Sequence, residues 1–222
     1  MPWFATGCCR PAVRSAFRSL FVAAALVAGC ATTPDTKLEV SWVTPQLPPA
    51  PRKLLIITVA NDEFVQIAFQ DQMAAELQKR GVNAVASHRY FTNYSEAERE
   101  RFKRSIEESD ADYVLLARVT KADSNARDSA GVILGSDGAP SGGAISVYGA
   151  YTLYPGSSSI LAGDVQVLTV TAEASIFAEK GGKLIWSART RTTNAQSVKS
   201  GADAARQYVP VILDAMKKDK LF

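Results

Sequence analysis

The one histidine of the chain, His88, is the first residue to consider for acid–base chemistry. A serine or cysteine hydrolase needs a nucleophile that an imidazole activates. His88 comes just after a predicted strand, in the run Ser87-His88-Arg89-Tyr90, and the sequence contains no G-x-S-x-G motif. We therefore interpret His88 as a polar residue between a strand and a helix, and we predict no catalytic residue.

Two other patterns could do chemistry, and both have a simpler interpretation. Asp110 and Asp112 could share acid–base work, but we expect Asp110 to end a helix and Asp112 to start a strand. A hydrolase that uses carboxylates alone remains a remote alternative. Several glycines cluster without the lysine that a phosphate-binding loop needs, and they indicate a loop. These are Gly131, Gly135, Gly138, Gly142 and Gly143. With one histidine and few cysteines, the sequence predicts no metal and no cofactor.

The amino-terminal segment has the pattern of a signal peptide. Its only charged residues are Arg10, Arg14 and Arg18, and the apolar run Leu20 to Ala28 follows them. That run is about half of the roughly 20 residues that a helix needs to span a bilayer. We therefore predict a cleaved signal over residues 1–29 rather than a transmembrane helix.

Cys30 is the residue for which we predict a covalent modification. The run Val27-Ala28-Gly29-Cys30 resembles the lipobox of bacterial lipoproteins, in which the chain is cut between Gly29 and Cys30. The resemblance implies that Cys30 is acylated and that three acyl chains hold the mature protein in a membrane. Alanine, not aspartate, stands at position 31, which by the same resemblance implies the outer membrane and its periplasmic face.

Composition limits the partners of the mature domain. Loss of the three arginines of the signal lowers Lys and Arg from 25 to 22, equal to the 22 Asp and Glu. A neutral chain lacks the basic excess that is typical of nucleic-acid binding or of electrostatic attachment to anionic lipid. Cys8 and Cys9 leave with the signal, so the mature fold is predicted to have no disulfide.

Residues 30–50 are predicted to be a proline-rich tether between the lipid and a single domain over residues 51–222. The tether carries Pro34, Pro45, Pro48 and Pro49. Twenty such residues would hold the domain roughly 25 Å from the bilayer if flexible and up to about 60 Å if extended. The alternation in Leu38 to Val43 predicts that a short edge strand interrupts the tether.

The fold class predicted for the domain is α/β, with an α+β second half. Apolar runs near residues 53–60, 82–86 and 112–120 alternate with helical patterns, which predicts a three-stranded β-α-β-α-β parallel core. Alternation in 165–178 and 184–193 around a glycine-containing turn predicts an antiparallel hairpin. A C-terminal helix over 197–218 is expected to kink or restart at Pro210.

Short phrases of the domain resemble a family of envelope lipoproteins. They are Leu77 with Gly81-Val82, the strand opening Asp112 to Leu115, and the hairpin arm Gly182 to Ala188. With the leading strand, they look like uncharacterised outer-membrane lipoproteins with a TolB amino-terminal-like or CsgG-like α/β domain. The resemblance implies an accessory role in envelope assembly or secretion, without enzymatic activity.

The segment 121–150 is predicted to be a long Gly/Ser-rich loop. It contains the apolar triplet Val132-Ile133-Leu134, and Tyr148, Tyr151 and Tyr154 stand in or just after it. Such residues are typical of partner contacts, although packing on the sheet edge or a further strand would explain them more simply. The resulting hypothesis is a lipid-anchored, non-enzymatic adaptor with a protein partner in the envelope. The alternative is a subunit of a CsgG-like secretion pore or another oligomer.

Overall fold

In the part of the chain that the structure describes, six strands form one mixed sheet with three α-helices. The structure is a computed structural model, and it describes residues 33–60, 63–90, 98–123, 139–140, 146–147, 169–178 and 182–222. The strands are β1 Asp35–Val43, β2 Leu54–Val59, β3 Ala84–Ala86, β4 Tyr113–Asp123, β5 Thr169–Ala178 and β6 Lys183–Thr193. The helices are α1 Glu63–Lys79, α2 Glu98–Ser109 and α3 Gly201–Lys218.

The sheet has a parallel half and an antiparallel half. Its strand order is β1-β6-β5-β4-β2-β3. β2 pairs in parallel with both β3 and β4. The pairs β4–β5, β5–β6 and β1–β6 are antiparallel. The predicted α/β class is therefore confirmed, with a β-α-β-α-β parallel core, an added hairpin and a C-terminal helix.

Both faces of the sheet are covered by helices, which explains the continuous apolar run of β2. All six residues of β2 are buried. Leu54 and Ile56 pack with α1 and α3 on one face, here called the α1/α3 face. Leu55 and Ile57 pack with α2 on the other, the α2 face. A strand that is covered on both sides can be apolar on both of its faces.

Helix α1 buries an apolar stripe and ends at a glycine. Phe69, Met73 and Leu77 are buried. The backbone N–H of Val82 donates to the carbonyl of Leu77 at 3.1 Å, and the N–H of Gly81 donates to that of Gln78 at 3.0 Å. These two bonds form a Schellman ending. Gly81 has a φ of 83°, a conformation that side chains with a Cβ rarely adopt.

Helix α2 buries the two large apolar residues that its sequence offers. Phe102 and Ile106 are both 3 % exposed and pack on the α2 face. The other positions are mostly charged, so the helix covers one side of the sheet and turns its charged side to solvent.

Helix α3 differs from the sequence expectation at both its start and its middle. It begins at Gly201, after the N-cap Ser200, whose hydroxyl accepts from the N–H of Asp203. The helix continues through Pro210, so the predicted restart there is wrong. Pro210 is on the exposed side, while Val209 and Leu213 are buried against the sheet. Packing of the buried side holds the helix together where one backbone hydrogen bond is lost.

The strand predicted at Leu38 to Val43 exists, but it is longer and belongs to the sheet. β1 begins at Asp35 and pairs with β6 from Asp35↔Thr193 to Val43↔Trp186, with a bulge between Leu38 and Val40. The predicted domain boundary at residue 51 therefore differs from the structure, in which the sheet starts at Asp35. The prolines suggested a tether, whereas the partner of β1 is distant in sequence and gives no local signal.

Other boundaries shift by a few residues. The strand expected at 82–86 is reduced to Ala84–Ala86. β4 continues to Asp123, into the stretch that the sequence assigned to a loop. Among the described residues of that stretch, Val147 is buried against the α2 face.

No helix in the described ranges is both long and apolar enough to cross a bilayer.

Candidate functional site

Three charged side chains lie side by side in the middle of the sheet. Arg118 on β4 pairs in register with Glu173 on β5, and Glu173 pairs with Arg189 on β6. Since residues opposite each other point to the same face, the three side chains share the α2 face. Arg118 Nη2 is 3.2 Å from Glu173 Oε2, and Arg189 Nε is 3.7 Å from Glu173 Oε1. We call this arrangement the charged triad.

The charged triad is buried. The side chains of Arg118, Glu173 and Arg189 are 1 %, 0 % and 6 % exposed. Burial lowers the pKa of Arg118, while the negative charge and the hydrogen bond of Glu173 act in the opposite direction. Arginine remains charged at neutral pH, so the carboxylate of Glu173 sits between two positive groups.

The row next to the charged triad is polar but neutral. Ser175 and Ser187 are fully buried, and their hydroxyl oxygens are 2.7 Å apart in a hydrogen bond. One row further along β5 lies Phe177, which is part of the apolar cluster under α2. The α2 face thus changes along its strands from apolar through hydroxyl to charged residues.

The arrangement of the charged triad is better suited to aligning the strands than to catalysing a reaction. Each oxygen of Glu173 contacts a different guanidinium group, and the three residues belong to three different strands. Sliding β5 by one residue would turn Glu173 to the opposite, apolar face of the sheet. The charged triad therefore specifies the register of β4, β5 and β6, although a buried ion pair adds little net stability.

His88 forms a second polar cluster, at the end of β3. It lies in a short 3₁₀ helix, Ser87–Tyr90, and its Nε2 is 2.9 Å from Asp71 Oδ1 on α1. The hydroxyl of Ser87 donates to Gln70 Oε1, and the backbone N–H of His88 donates to the same oxygen, both at 3.0 Å. These bonds tie the 3₁₀ helix to α1.

Asp112 links the starts of two parallel strands. Its carboxylate accepts the backbone N–H of Lys53 at 2.8 Å and that of Arg52 at 3.1 Å. Partial burial acts to raise the pKa of Asp112, but these backbone hydrogen bonds and Arg52 outweigh it and lower the pKa. Asp110 has a φ of 48° directly after α2. The two aspartates stand where the sequence analysis expected them, at a helix end and a strand start.

The residues for which the sequence predicted a site fall outside the described residues. This holds for Gly29 and Cys30, for the triplet Val132-Ile133-Leu134, and for Tyr148, Tyr151 and Tyr154. In the described ranges, no group of three or more His, Cys, Asp and Glu side chains is placed to hold a metal ion.

Sequence reasoning missed the charged triad. A signal was present, because the charged residue follows a run of apolar or small residues in each strand. These residues are Arg118 in β4, Glu173 in β5 and Arg189 in β6. Charges inside strands that are buried on both faces require partners. To recognise the three residues as neighbours, one would need the register of β4, β5 and β6, which the sequence does not show.

Comparison with known proteins gives weak structural similarity only. No family model matches the chain, and no curated protein sequence matches it. A structure described as a dodecamer of a PelC point variant from Paraburkholderia phytofirmans covers 81 % of this chain and 96 % of its own, with 13 % identity and a TM-score of 0.40. A second PelC dodecamer from that organism covers 82 % and 96 %, with 14 % identity and a TM-score of 0.39. At these values neither function nor assembly transfers to this chain.

Proposed function

We propose that the mature chain is a non-enzymatic accessory protein of the bacterial envelope, held in the membrane by lipid on Cys30. The observation that carries the proposal is the lipobox-like run Val27-Ala28-Gly29-Cys30 behind the apolar segment Leu20 to Ala28. Multiple acyl chains on one cysteine hold a protein firmly at a bilayer, whereas a single chain does not. The resemblance to bacterial lipoproteins further implies that the protein lies at the periplasmic face of the outer membrane. There the domain acts as an adaptor for a protein partner.

The start of β1 sharpens this proposal, because it shortens the tether. β1 begins at Asp35, five residues after Cys30. Five extended residues reach at most about 18 Å. We therefore replace the tether of up to 60 Å expected from the sequence with a domain held close to the lipid surface.

The non-enzymatic part of the proposal is supported by the bonds of the reactive side chains. His88 is engaged with Asp71, and Asp112 accepts two backbone N–H groups. The carboxylate of Glu173 is enclosed by two arginines. Each of these groups has a structural role that accounts for its position.

The test is replacement of Cys30 by alanine in cells. We expect Cys30→Ala to abolish incorporation of labelled palmitate, to block cleavage of the signal and to remove the mature protein from the membrane fraction. Cys8→Ala and Cys9→Ala are matched controls, because both residues lie in the predicted signal and should leave acylation unchanged. A mature amino terminus other than residue 30, or one without acyl chains by mass measurement, would refute the proposal.

A further inference from the structure

Phe64, the second residue of α1, is 82 % exposed. Phenylalanine is usually buried, and the apolar stripe of α1 begins further along, with Phe69. The other large apolar side chains exposed in the described ranges are Leu47 at 41 % and Phe222 at 38 %. A single exposed Phe needs no explanation by itself, so the position of Phe64 in the fold decides its meaning.

The sheet has one end at which the amino-terminal strand begins. Register pairs connect Asp35 to Thr193, Thr193 to Thr169 and Thr169 to Asp123, so these four residues form one row across β1, β6, β5 and β4. We call this the anchor end, because the chain that leads back to Cys30 enters the sheet there. The opposite end contains the first residues of β2 and β4, Leu54 and Tyr113.

Phe64 belongs to the anchor end. β2 is parallel to β4, so both strands run toward this end, and α1 begins four residues after β2 finishes at Val59. Helix α3 starts there as well, since it follows the end of β6. The two helix starts are in close contact: a Cβ on Gly201 would be only 2.8 Å from the Cα of Val65, the neighbour of Phe64.

Phe222 is on the opposite side of the domain. It lines a small cavity with Pro51, Leu54 and Tyr113, at the starts of β2 and β4. Phe64, which is the most exposed, and Phe222, which is less exposed, therefore lie at opposite ends of the sheet.

We propose that Phe64 inserts into the lipid surface beside the anchor, so that the domain contacts the bilayer with its anchor end. This inference rests on the proposed lipidation of Cys30. Three observations support it: the exposure of Phe64, its place at the end where the anchored chain enters, and the five-residue distance between Cys30 and Asp35. Because Lys and Arg balance Asp and Glu after signal removal, the contact depends on the apolar ring and not on anionic lipid.

The experiment uses the full precursor, processed in cells, purified in detergent and reconstituted into phosphatidylcholine vesicles with or without brominated acyl chains. Phe64→Trp and Phe222→Trp are compared, with the native protein supplying the background of Trp42 and Trp186. We expect bromine to remove most of the added fluorescence of Phe64→Trp and its emission to shift to shorter wavelength. Phe222→Trp should show neither change.

The mass of each reconstituted sample separates the two proposals. Acylated Cys30 with equal quenching at positions 64 and 222, or with none at 64, overturns the insertion of Phe64 and leaves the lipid anchor standing. An emission shift at 64 that depends on protein concentration and not on lipid also overturns it, since a second copy then covers the ring. Absence of acyl chains on Cys30 refutes both proposals together.

Discussion

Glu173 provides the negative charge of the charged triad, and its carboxylate contacts two buried guanidinium groups. Glu173→Gln keeps the shape but removes the negative charge between them. We expect the free energy of unfolding to fall by about 3–5 kcal/mol, the usual cost of breaking a buried ion pair from one side. Urea denaturation of the purified domain measures this loss.

A triple variant separates charge balance from packing. Arg118→Met, Glu173→Leu and Arg189→Met together replace the charged triad with apolar side chains of similar volume. We expect it to recover most of the stability lost in Glu173→Gln, since no buried charge remains. If Glu173→Gln cost less than about 1 kcal/mol, the three charges would not be acting as one unit.

Asp112 should make stability depend on acid pH. Its pKa is lowered in the folded state by the N–H groups of Lys53 and Arg52. A lowered carboxylate pKa stabilises the fold above the unfolded value of about 3.9, and this contribution is lost as pH falls through the folded pKa. We expect Asp112→Asn to cost about 1–2 kcal/mol at pH 7, and this cost to shrink as pH falls through the lowered pKa of the folded state.

Thermal unfolding between pH 7 and pH 2.5 tests this dependence. Glu107→Gln is a suitable control, because its side chain is 62 % exposed on α2 and contacts Lys103 at 3.9 Å. Its effect should stay within about 0.5 kcal/mol at every pH. A constant difference between Asp112→Asn and the native protein across this range would contradict the role assigned to Asp112.

At the scale of elements, Pro210 is the least favourable residue of α3. It lies inside the helix, on its exposed side, and it cannot donate the backbone hydrogen bond to the carbonyl of Arg206. Pro210→Ala should restore that bond and raise the free energy of unfolding by about 1–3 kcal/mol. Denaturant unfolding measures the gain, and Lys218→Ala, on the exposed side of the last turn, should change stability by about 0.5 kcal/mol or less. A loss of stability in Pro210→Ala would show that the proline ring makes a contact on which the helix depends.

Elements with local signals were predictable from the sequence. The buried run of β2, the stripe of α1 and the Gly81 ending each depend on neighbours within a few residues. The continuation of α3 through Pro210 could not be predicted from the sequence. The burial of Val209 and Leu213 on the sheet overrides the tendency of Pro210 to end a helix. Tertiary packing decides such cases, and the sequence of the helix does not contain it.

The candidate site was predictable only in part, for the same reason. Asp112 was identified as the start of a strand, but its partners Lys53 and Arg52 are 59 and 60 residues away. The charged triad needs the register of three strands before its members can be recognised as neighbours. Cys30 differs, since its signal is contained in the residues directly before it, and its acylation stays a prediction.

At the scale of the whole molecule, the antiparallel half of the sheet connects distant parts of the chain. β6 lies between its hairpin partner β5 and the first strand, β1. The prolines around β1 predicted a tether because they report only local backbone preferences. The strand order therefore changes the functional picture more than any single residue does, since it makes Asp35, five residues after Cys30 in the sequence, part of the edge strand of the sheet.

This strand order also makes completion of the sheet a late step of folding. β1 is made first, yet its partner is the last strand, and Thr193 lies 158 residues beyond Asp35. Closing so long a loop is slow compared with forming the local hairpin of β5 and β6. Until β6 can pair with it, β1 therefore remains an unpaired strand in the folding chain. In the finished sheet β1 is still an edge strand, and the charges of Lys37 and Glu39 and the bulge between Leu38 and Val40 protect its outer edge from pairing with other chains.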